Sequence, residues 1–175
     1  MNEAGGVAHA GVAIRQAVVG DAPAISALVS RLTREFILPE QPAGAAEKLL
    51  SWMTTAAIAD RMAAGHRYHI AESADALAGV AAIRDNAHLY LLFVDAPFQR
   101  RGIAQALWQA ALAACIEAAH PRRITVNASA FAVPVYLRLG FAALSPAEER
   151  EAVMSTPMAF VIDALDSAAG ERRAS

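Results

Sequence analysis

The sequence predicts a single α/β domain of mixed (α+β) type, with a twisted central sheet of about six or seven strands and helices on both faces. Its 175 residues are the size of one domain, and 56% of them are hydrophobic, which suffices for a sizeable core. Short apolar segments of strand length alternate with segments of helical periodicity. One helical segment joins two of these strands, so those two should lie parallel.

The ends of the chain differ in composition from the part between them. We assign residues 13–163 to the domain. Residues 1–12 and 164–175 consist of small and charged side chains without a period, and we expect both to be mobile tails.

Composition excludes several classes of partner. The formal net charge is −2 and no run of basic residues exceeds two, unlike a nucleic-acid-binding protein. No apolar run approaches the roughly 20 residues of a membrane span, and the first residues do not look like a signal peptide. The single cysteine and the spacing of the histidines predict no metal site. We therefore expect a cytoplasmic protein without a nucleic-acid, membrane or metal partner, and the scarcity of lysine suggests a GC-rich bacterial genome.

The first half of the chain is predicted to contain three strands and two helical regions. A strand at 13–19 leads through Asp21, placed to cap the following helix, and a second helical region spans about 43–64 with a break near Thr54. Strands follow at 67–72 and 77–84, and Asp85-Asn86-Ala87 is predicted to make a tight reversal into the next strand. Between the helical regions and within the second lie four large apolar side chains that either pack against the sheet or line a substrate pocket: Phe36, Ile37, Trp52 and Met53.

Residues 88–105 form the central stretch of the sequence. Residues 88–94 are an apolar strand that ends at a turn signal around Pro97, and a helix follows from about 102 to 118. A helix start leaves backbone N–H groups unpaired at the positive end of the helix dipole, and the small side chains of Gly102 and Ala104 would expose them. The stretch therefore predicts an anion site.

The remaining elements are shorter. A strand at 124–127 should lie parallel to the central strand, and a short helix runs between Pro134 and Gly140, since proline suits a first helical turn and glycine a left-handed C-cap. Phe141 begins another strand. Residues 145–151 are a polar excursion, and a last strand at 154–163 is expected to be broken at Pro157.

Two of these stretches resemble the GCN5-related N-acetyltransferase (GNAT) family. Gln99, Gly102 and Ala104 match its motif A signature, Gln/Arg-x-x-Gly-x-Gly/Ala, and residues 127–141 are similar to its motif B. The resemblance implies acetyl-CoA as cosubstrate, with no metal.

The same resemblance implies how acetyl-CoA is bound. Its pyrophosphate would contact the backbone around Arg101, Gly102, Ile103 and Ala104, aided by Gln99 and the charges of Arg100 and Arg101. Arg100 and Arg101 are equally readable as solvated side chains. Backbone N–H groups near Phe93 and Val94 would face the thioester. Ser129 stands where many members carry a cofactor-binding asparagine, which shortens or removes that contact, and Asn127 lies either near the site or in a turn.

Two residues are candidates for proton transfer. Tyr136 matches the tyrosine that donates a proton to the CoA thiolate in many members, although a tyrosine on a short helix is in general a packing residue. His88 begins the central strand and, by period-two alternation, should share a face with Tyr90, Leu92 and Val94. It is either the base that removes a proton from the amine through a water or a structural residue, with ordered water alone as base.

We therefore expect an N-acetyltransferase that moves an acetyl group directly from acetyl-CoA to a primary amine of a small molecule or peptide. Two alternatives stay open. One is a non-catalytic acyl-CoA-binding regulatory domain, and the other is an acyltransferase that uses a different acyl group or a hydroxyl acceptor. A homodimer is possible, since dimers are frequent in the family.

Overall fold

The computed structural model describes residues 7–9, 11–74 and 76–162. In chain order its elements are β1 (Val7–His9), β2 (Val12–Gln16), α1 (Ala22–Leu32), α2 (Ala45–Ser51), α3 (Thr55–Ala63), β3 (Arg67–Glu72), β4 (Leu77–Arg84), β5 (His88–Val94), α4 (Ile103–Ala119), β6 (Arg123–Ala128), α5 (Val133–Arg138), β7 (Ala142–Ala143), β8 (Glu148–Arg150) and β9 (Val153–Val161). The strand order is β1-β2-β3-β4-β5-β6-β9-β7, and β8 pairs with β9.

The predicted α/β class is confirmed, and the sheet is mixed. β5 and β6 lie parallel, as predicted for two strands joined by a helix, and the other pairs in the described residues are antiparallel. β7 is the short strand expected from Phe141. The number of strands exceeds the predicted six or seven because β1 and β8, of three residues each, were not predicted. Such short segments carry too little hydrophobic pattern to be read from sequence.

Helices cover both faces of the sheet. On β4, Val80 and Ala82 face the core formed with α1 and α3, and Ala81 and Ile83 face the core formed with α4. Successive strand residues point to opposite faces, so β4 is apolar from Leu77 to Ile83. It is the strand on which the two cores meet.

The tight reversal between β4 and β5 follows the prediction. Asp85 and Asn86 both have left-handed φ values, 55° and 54°, and the Ala87 N–H donates to the Arg84 carbonyl at 3.1 Å. These two residue types tolerate that conformation, which matches the right-handed twist of a hairpin.

Three predictions for the N-terminal region were wrong. Residues 7–9, assigned to a tail, form a strand that pairs with residues 12–14. The predicted strand 13–19 ends at Gln16, and Asp21 does not cap α1. Its carboxylate accepts the N–H of Val18 at 2.8 Å and forms an ion pair with Arg15, so it stabilises the turn before the helix. Residues 1–6 and 10 of the predicted N-terminal tail, and the predicted C-terminal tail at 164–175, lie outside the described residues.

The second helical region is broken, as predicted, into α2 and α3. The hydroxyl of Thr54 accepts the N–H of Ala57 at 3.2 Å and so caps α3.

The C-terminal strand differs from its prediction. β9 runs from Val153 to Val161 without a break at Pro157, which pairs with Asn127. The Pro157 carbonyl accepts the N–H of Leu144, which follows β7. The proline nitrogen faces the same side, away from β6, so its missing N–H removes no hydrogen bond between β6 and β9. Residues 148–150 of the predicted polar excursion form β8.

Gly79 allows β4, β5 and α4 to approach closely, and this yields a prediction. A Cβ at this position would lie 2.8 Å from the Phe93 carbonyl oxygen and 3.0 Å from Leu107 Cδ1. Gly79→Ala should therefore lower the free energy of unfolding by about 2 kcal/mol, as overpacked cores do. Urea denaturation measures it. Gly20→Ala is the matched control, because a Cβ there has no atom within 4 Å, and an equal effect of both substitutions would contradict the packing argument.

Candidate active site

A large cleft opens where β5 and β6 separate. The two strands pair only at His88 with Thr125 and at Leu89 with Val126. Beyond these pairs a cleft of about 1470 Å³ lies between β5, the start of α4, α5, the segment 32–53 and the β8–β9 hairpin. Strands that diverge expose backbone polar groups that a ligand can use.

A β-bulge in β5 directs side chains into this cleft. Ile83 pairs with Leu89, but the preceding Ala82 pairs with Leu91, so Tyr90 is the extra residue. Beyond it the alternation is reversed: Phe93 packs with the α1 core, and Leu92 and Val94 with the α4 core.

The predicted face of His88 was therefore wrong in part. Leu89 packs with the α4 core and Tyr90 with the α1 core, so His88 shares the α1 side with Tyr90. Leu92 and Val94 lie on the opposite face because the bulge breaks the period of two on which the prediction depended.

The start of α4 has the geometry of an anion site. Gly102 is the N-cap with a left-handed φ of 77°, and Arg100 before it has a φ of 61°. The first intrahelical N–H bond is donated by Ala106 to the Gly102 carbonyl, so the N–H groups of residues 103–105 belong to the open first turn. Gly102, Ile103 and Ala104 line the cleft.

Side chains hold the loop between β5 and α4. The Gln99 amide donates to the Val94 carbonyl at 3.0 Å. Asp95 accepts the N–H of Ala96 at 2.7 Å and forms a two-bond ion pair with Arg31 of α1, at 2.8 and 3.0 Å. Gln99 therefore has a structural contact in addition to lining the cleft, and the loop is tied to the helix layer beneath it.

Tyr136 is placed by the C-terminus of α5. Gly140 has a φ of 94°, its N–H donates to Leu137, and the Phe141 N–H donates to the Tyr136 carbonyl, a Schellman motif. The rings of Tyr136 and Phe141 pack edge to face with centroids 5.4 Å apart, the hydrophobic contact that accompanies this motif. Tyr136 is 5% exposed, lines the cleft, and burial raises its pKa well above the ordinary value. Its hydroxyl is therefore protonated at neutral pH.

His88 lines the cleft in its neutral form. Its Nδ1 lies 2.8 Å from Thr125 Oγ1 on the neighbouring strand. Burial, and next the positive charge of Arg84, lower its pKa to about 4. An imidazole with this pKa is neutral at neutral pH, with a single ring N–H, and is a weak base.

The other predicted binding residues have mixed outcomes. Phe93, Val94, Arg100, Asn127 and Ser129 line the cleft. Ser129 also opens the turn into α5, where its hydroxyl accepts the N–H of Ala132 at 3.3 Å.

Arg101 does not line the cleft, and its guanidinium lies 5.5 Å from the Phe98 ring centroid. Sequence alone does not distinguish an arginine side chain that packs back on its own loop from one that points into the cleft.

The sequence reasoning missed the contacts that close the second wall of the cleft. The Phe36 ring stacks on Phe131 with centroids 4.9 Å apart, and Glu40 accepts the Phe131 N–H at 2.8 Å. Gln41 bonds both the N–H and the carbonyl of Met154, at 2.8 and 3.1 Å. These contacts join residues about 90 to 110 positions apart, and no local pattern in the sequence signals them.

The four large apolar residues of the first half line this wall. Phe36, Ile37, Trp52 and Met53 all border the cleft. Met53 is only 5% exposed and also belongs to the core with α1, so the packing and pocket readings both apply to it.

The described residues lack both a membrane-spanning helix and a cluster of metal ligands. They contain no helix that is both long and apolar enough to cross a bilayer. Within residues 7–9, 11–74 and 76–162, no three histidine, cysteine or acidic residues group as metal ligands do.

Comparisons with known proteins agree with the fold described above. A family model described as an acetyltransferase (GNAT) domain matches residues 36–162. A GCN5-related N-acetyltransferase from Rhodopseudomonas palustris has a TM-score of 0.72 at 20% identity, covering 90% of this chain and 100% of that one. The PaiA N-acetyltransferase from Thermoplasma acidophilum, solved with coenzyme A, has a TM-score of 0.71 at 11% identity, covering 86% and 98%. YncA from Salmonella typhimurium, solved with acetyl-CoA, has a TM-score of 0.60 at 15% identity, covering 87% and 94%.

At these identities the likeness to solved structures shows the fold. A search of curated proteins gave no significant match.

The lowered pKa of His88 predicts a pH dependence of stability. The unfolded chain takes up a proton near pH 6.5 and the folded chain only near pH 4. Between these values the unfolded state binds more protons. The contribution of His88 to the free energy of unfolding is therefore complete above about pH 6.5 and falls as the pH is lowered toward 4. His88→Asn keeps a polar group near Nδ1 but does not titrate, so its melting temperature should fall less over this range. Calorimetry at pH 7, 6, 5 and 4 measures the difference, and identical slopes for both proteins would contradict it.

Proposed function

The chain belongs to the GNAT acetyltransferase family, and we propose that it transfers an acetyl group from acetyl-CoA to a primary amine of a small molecule or peptide by direct attack in a ternary complex. The observation that carries the proposal is the cleft between β5 and β6, which has an open helix start at one end and the buried hydroxyl of Tyr136 on its wall.

In this proposal the first turn of α4 binds the pyrophosphate. The N–H groups of residues 102–104 and the helix dipole favour an anion, and Arg100, which lines the cleft, adds positive charge. The side chain of Arg101 is not required. The backbone of Phe93 and Val94 borders the cleft beyond the bulge and would orient the thioester.

The proposed reaction forms one bond and breaks one. The neutral amine attacks the thioester carbonyl, the C–N bond forms, and the C–S bond breaks to release the CoA thiolate. Tyr136 donates a proton to the thiolate, for which its raised pKa keeps it in the protonated state. The amine loses its proton to a water molecule. This water is hydrogen-bonded to neutral His88, either as acceptor or as donor. Because the pKa of His88 is about 4, the proton passes on to solvent and does not stay on the imidazole.

The acceptor side of the cleft supports an enzyme over a regulatory acyl-CoA-binding domain. The wall formed by the segment 32–53 and the β8–β9 hairpin borders the same cleft as the start of α4. A second substrate therefore has access to the space where the thioester would lie. Calorimetry of acetyl-CoA binding, followed by thiol release with a panel of amines, tests the proposal. Binding without release on any amine would favour the regulatory domain, and no binding would refute the reading of the α4 start.

The pyrophosphate site gives one prediction. Gly102→Glu places a carboxylate at the N-terminus of α4 and should weaken acetyl-CoA binding at least about tenfold, because two negative charges would meet in one site. Calorimetry measures the dissociation constant. Gly102→Ala is the matched control, since it shares the strain of a side chain at a φ of 77° without the charge. If both variants bind acetyl-CoA equally well, the pyrophosphate lies elsewhere.

The role of Tyr136 gives another prediction. Tyr136→Phe removes only the hydroxyl and keeps the ring contact with Phe141. The kcat should fall about 100-fold, the lower end of the range for a general acid, with little change in acetyl-CoA affinity. Steady-state thiol release and calorimetry measure the two quantities. An equal loss of turnover and affinity, or a lower melting temperature that accounts for the loss, would remove the assignment.

A further inference from the structure

The acceptor half of the cleft is the part bordered by the segment 32–53, the Arg84 end of β4 and the β8–β9 hairpin. Its lining is largely apolar and includes four aromatic side chains, Phe36, Trp52, Tyr90 and Phe131. Such a surface favours an acceptor with an apolar or aromatic body.

The charged groups of the acceptor half are predominantly positive. Arg84, Arg150 and Glu151 are the charged residues that line it. Glu151 is paired with Lys48, and this contact holds the pKa of its carboxyl below the usual range. Its negative charge is therefore already matched. Arg150 is likewise paired, with Glu148 at 2.7 Å. An acceptor with several ammonium groups would therefore find no unmatched carboxylate among these three residues and would meet the guanidinium of Arg84, which disfavours a polyamine.

Arg84 stands beside the proposed proton acceptor. It pairs directly across the β4–β5 ladder with His88, so the two side chains leave the same face of the sheet with Cβ atoms about 5 Å apart. Its one ion pair in the described residues is with Asp85, whose side chain is 81% exposed, at 3.3 Å through Nε. Exposed ion pairs are weak, and a guanidinium has five N–H donors, so Arg84 retains capacity for a carboxylate.

The field of Arg84 acts on the cleft lining. Its positive charge contributes to the lowered pKa of His88 and opposes the rise in the pKa of Tyr90. The charge therefore reaches two residues that border the acceptor half, one before the bulge and one at it.

We propose that the acceptor is an amine that carries a carboxylate close to the amino group and an apolar or aromatic side chain, as a free amino acid does, and that Arg84 binds its carboxylate. This inference rests on the proposed function. The separation of Arg84 and His88 matches a short amine-to-carboxylate spacing, and a guanidinium can bind a carboxylate through two parallel N–H bonds. The C–N bond then forms at the amino group, the C–S bond breaks, and the proton leaves through the water beside His88.

Matched acceptors test the inference. Thiol release from acetyl-CoA is measured with phenylalanine, phenylalanine amide and phenethylamine, with the corresponding leucine series, and with spermidine. Loss of a charge-assisted pair costs about tenfold or more, so we expect kcat/KM for the amino acid to exceed that for its amide by at least about tenfold. The amide has the more readily deprotonated amine, so this comparison is biased against the proposal.

Variants assign the carboxylate to Arg84. Arg84→Gln should remove the preference for the amino acid over its amide, chiefly through a higher KM for the amino acid. Arg34→Gln is the control, because it removes the same charge from an exposed arginine outside the cleft lining. Arg150→Gln tests the other guanidinium of the acceptor half.

The outcomes separate the two proposals. A carboxylate preference that Arg84→Gln abolishes and Arg34→Gln preserves supports the inference. Equal rates for acid and amide, a preference for spermidine, acetyl-CoA binding without transfer to any amino acid, or a preference lost only in Arg150→Gln each overturn it while acetyl-CoA binding stands. If acetyl-CoA itself does not bind, the proposed function fails as well.

Discussion

The separation of β5 from β6 after two residue pairs is the constraint on which the site depends. Beyond Leu89 and Val126 the two strands no longer pair with each other, and their backbone groups border a cleft. The bulge at Tyr90 occurs at the same point and turns the strand, so that β5 stays paired with β4 on its other edge. One strand thus continues the sheet and provides a wall of the cleft at the same time. The open edge costs little because a ligand or water can satisfy it.

The opposite wall is held by a few contacts between distant segments. Gln41 bonds both backbone groups of Met154, Glu40 accepts the Phe131 N–H, and Phe36 stacks on Phe131. Each contact is modest, about 1 kcal/mol for a neutral hydrogen bond. Together they position the segment 33–41 against both α5 and the β8–β9 hairpin. The shape of the acceptor side therefore depends on side chains of the segment 33–41, which lies outside the two sequence motifs.

Sequence reasoning succeeded where a local pattern determines the structure. Pro134 and Gly140 bracket α5 because proline and glycine have narrow or special backbone requirements, and Asp85 with Asn86 forms the hairpin turn for the same reason. It failed where tertiary contacts decide. The face of Leu92 depends on a bulge that pairing with β4 creates, and Asp21 bonds Arg15 and Val18 in place of the helix it precedes. Residues 148–150 become a strand only because β9 lies beside them. The motif residues that line the cleft were predicted, and the four apolar residues of the opposite wall were named as either pocket or packing residues, but the contacts that hold that wall were not predicted.

Desolvation sets the protonation states of the two proposed proton-transfer residues in opposite directions. Burial raises the pKa of Tyr136, which keeps its hydroxyl protonated, and lowers the pKa of His88 to about 4, which keeps its imidazole neutral. Tyr136 belongs to the core with α4, and His88 projects to the α1 side, so donor and acceptor lie on different sides of the sheet edge. Two titratable groups driven apart by their surroundings are the arrangement that acid–base chemistry at neutral pH requires. Because burial is the largest cause of both shifts, both states should persist across the neutral range, and the deprotonation of the acceptor amine itself should then govern how the rate varies with pH.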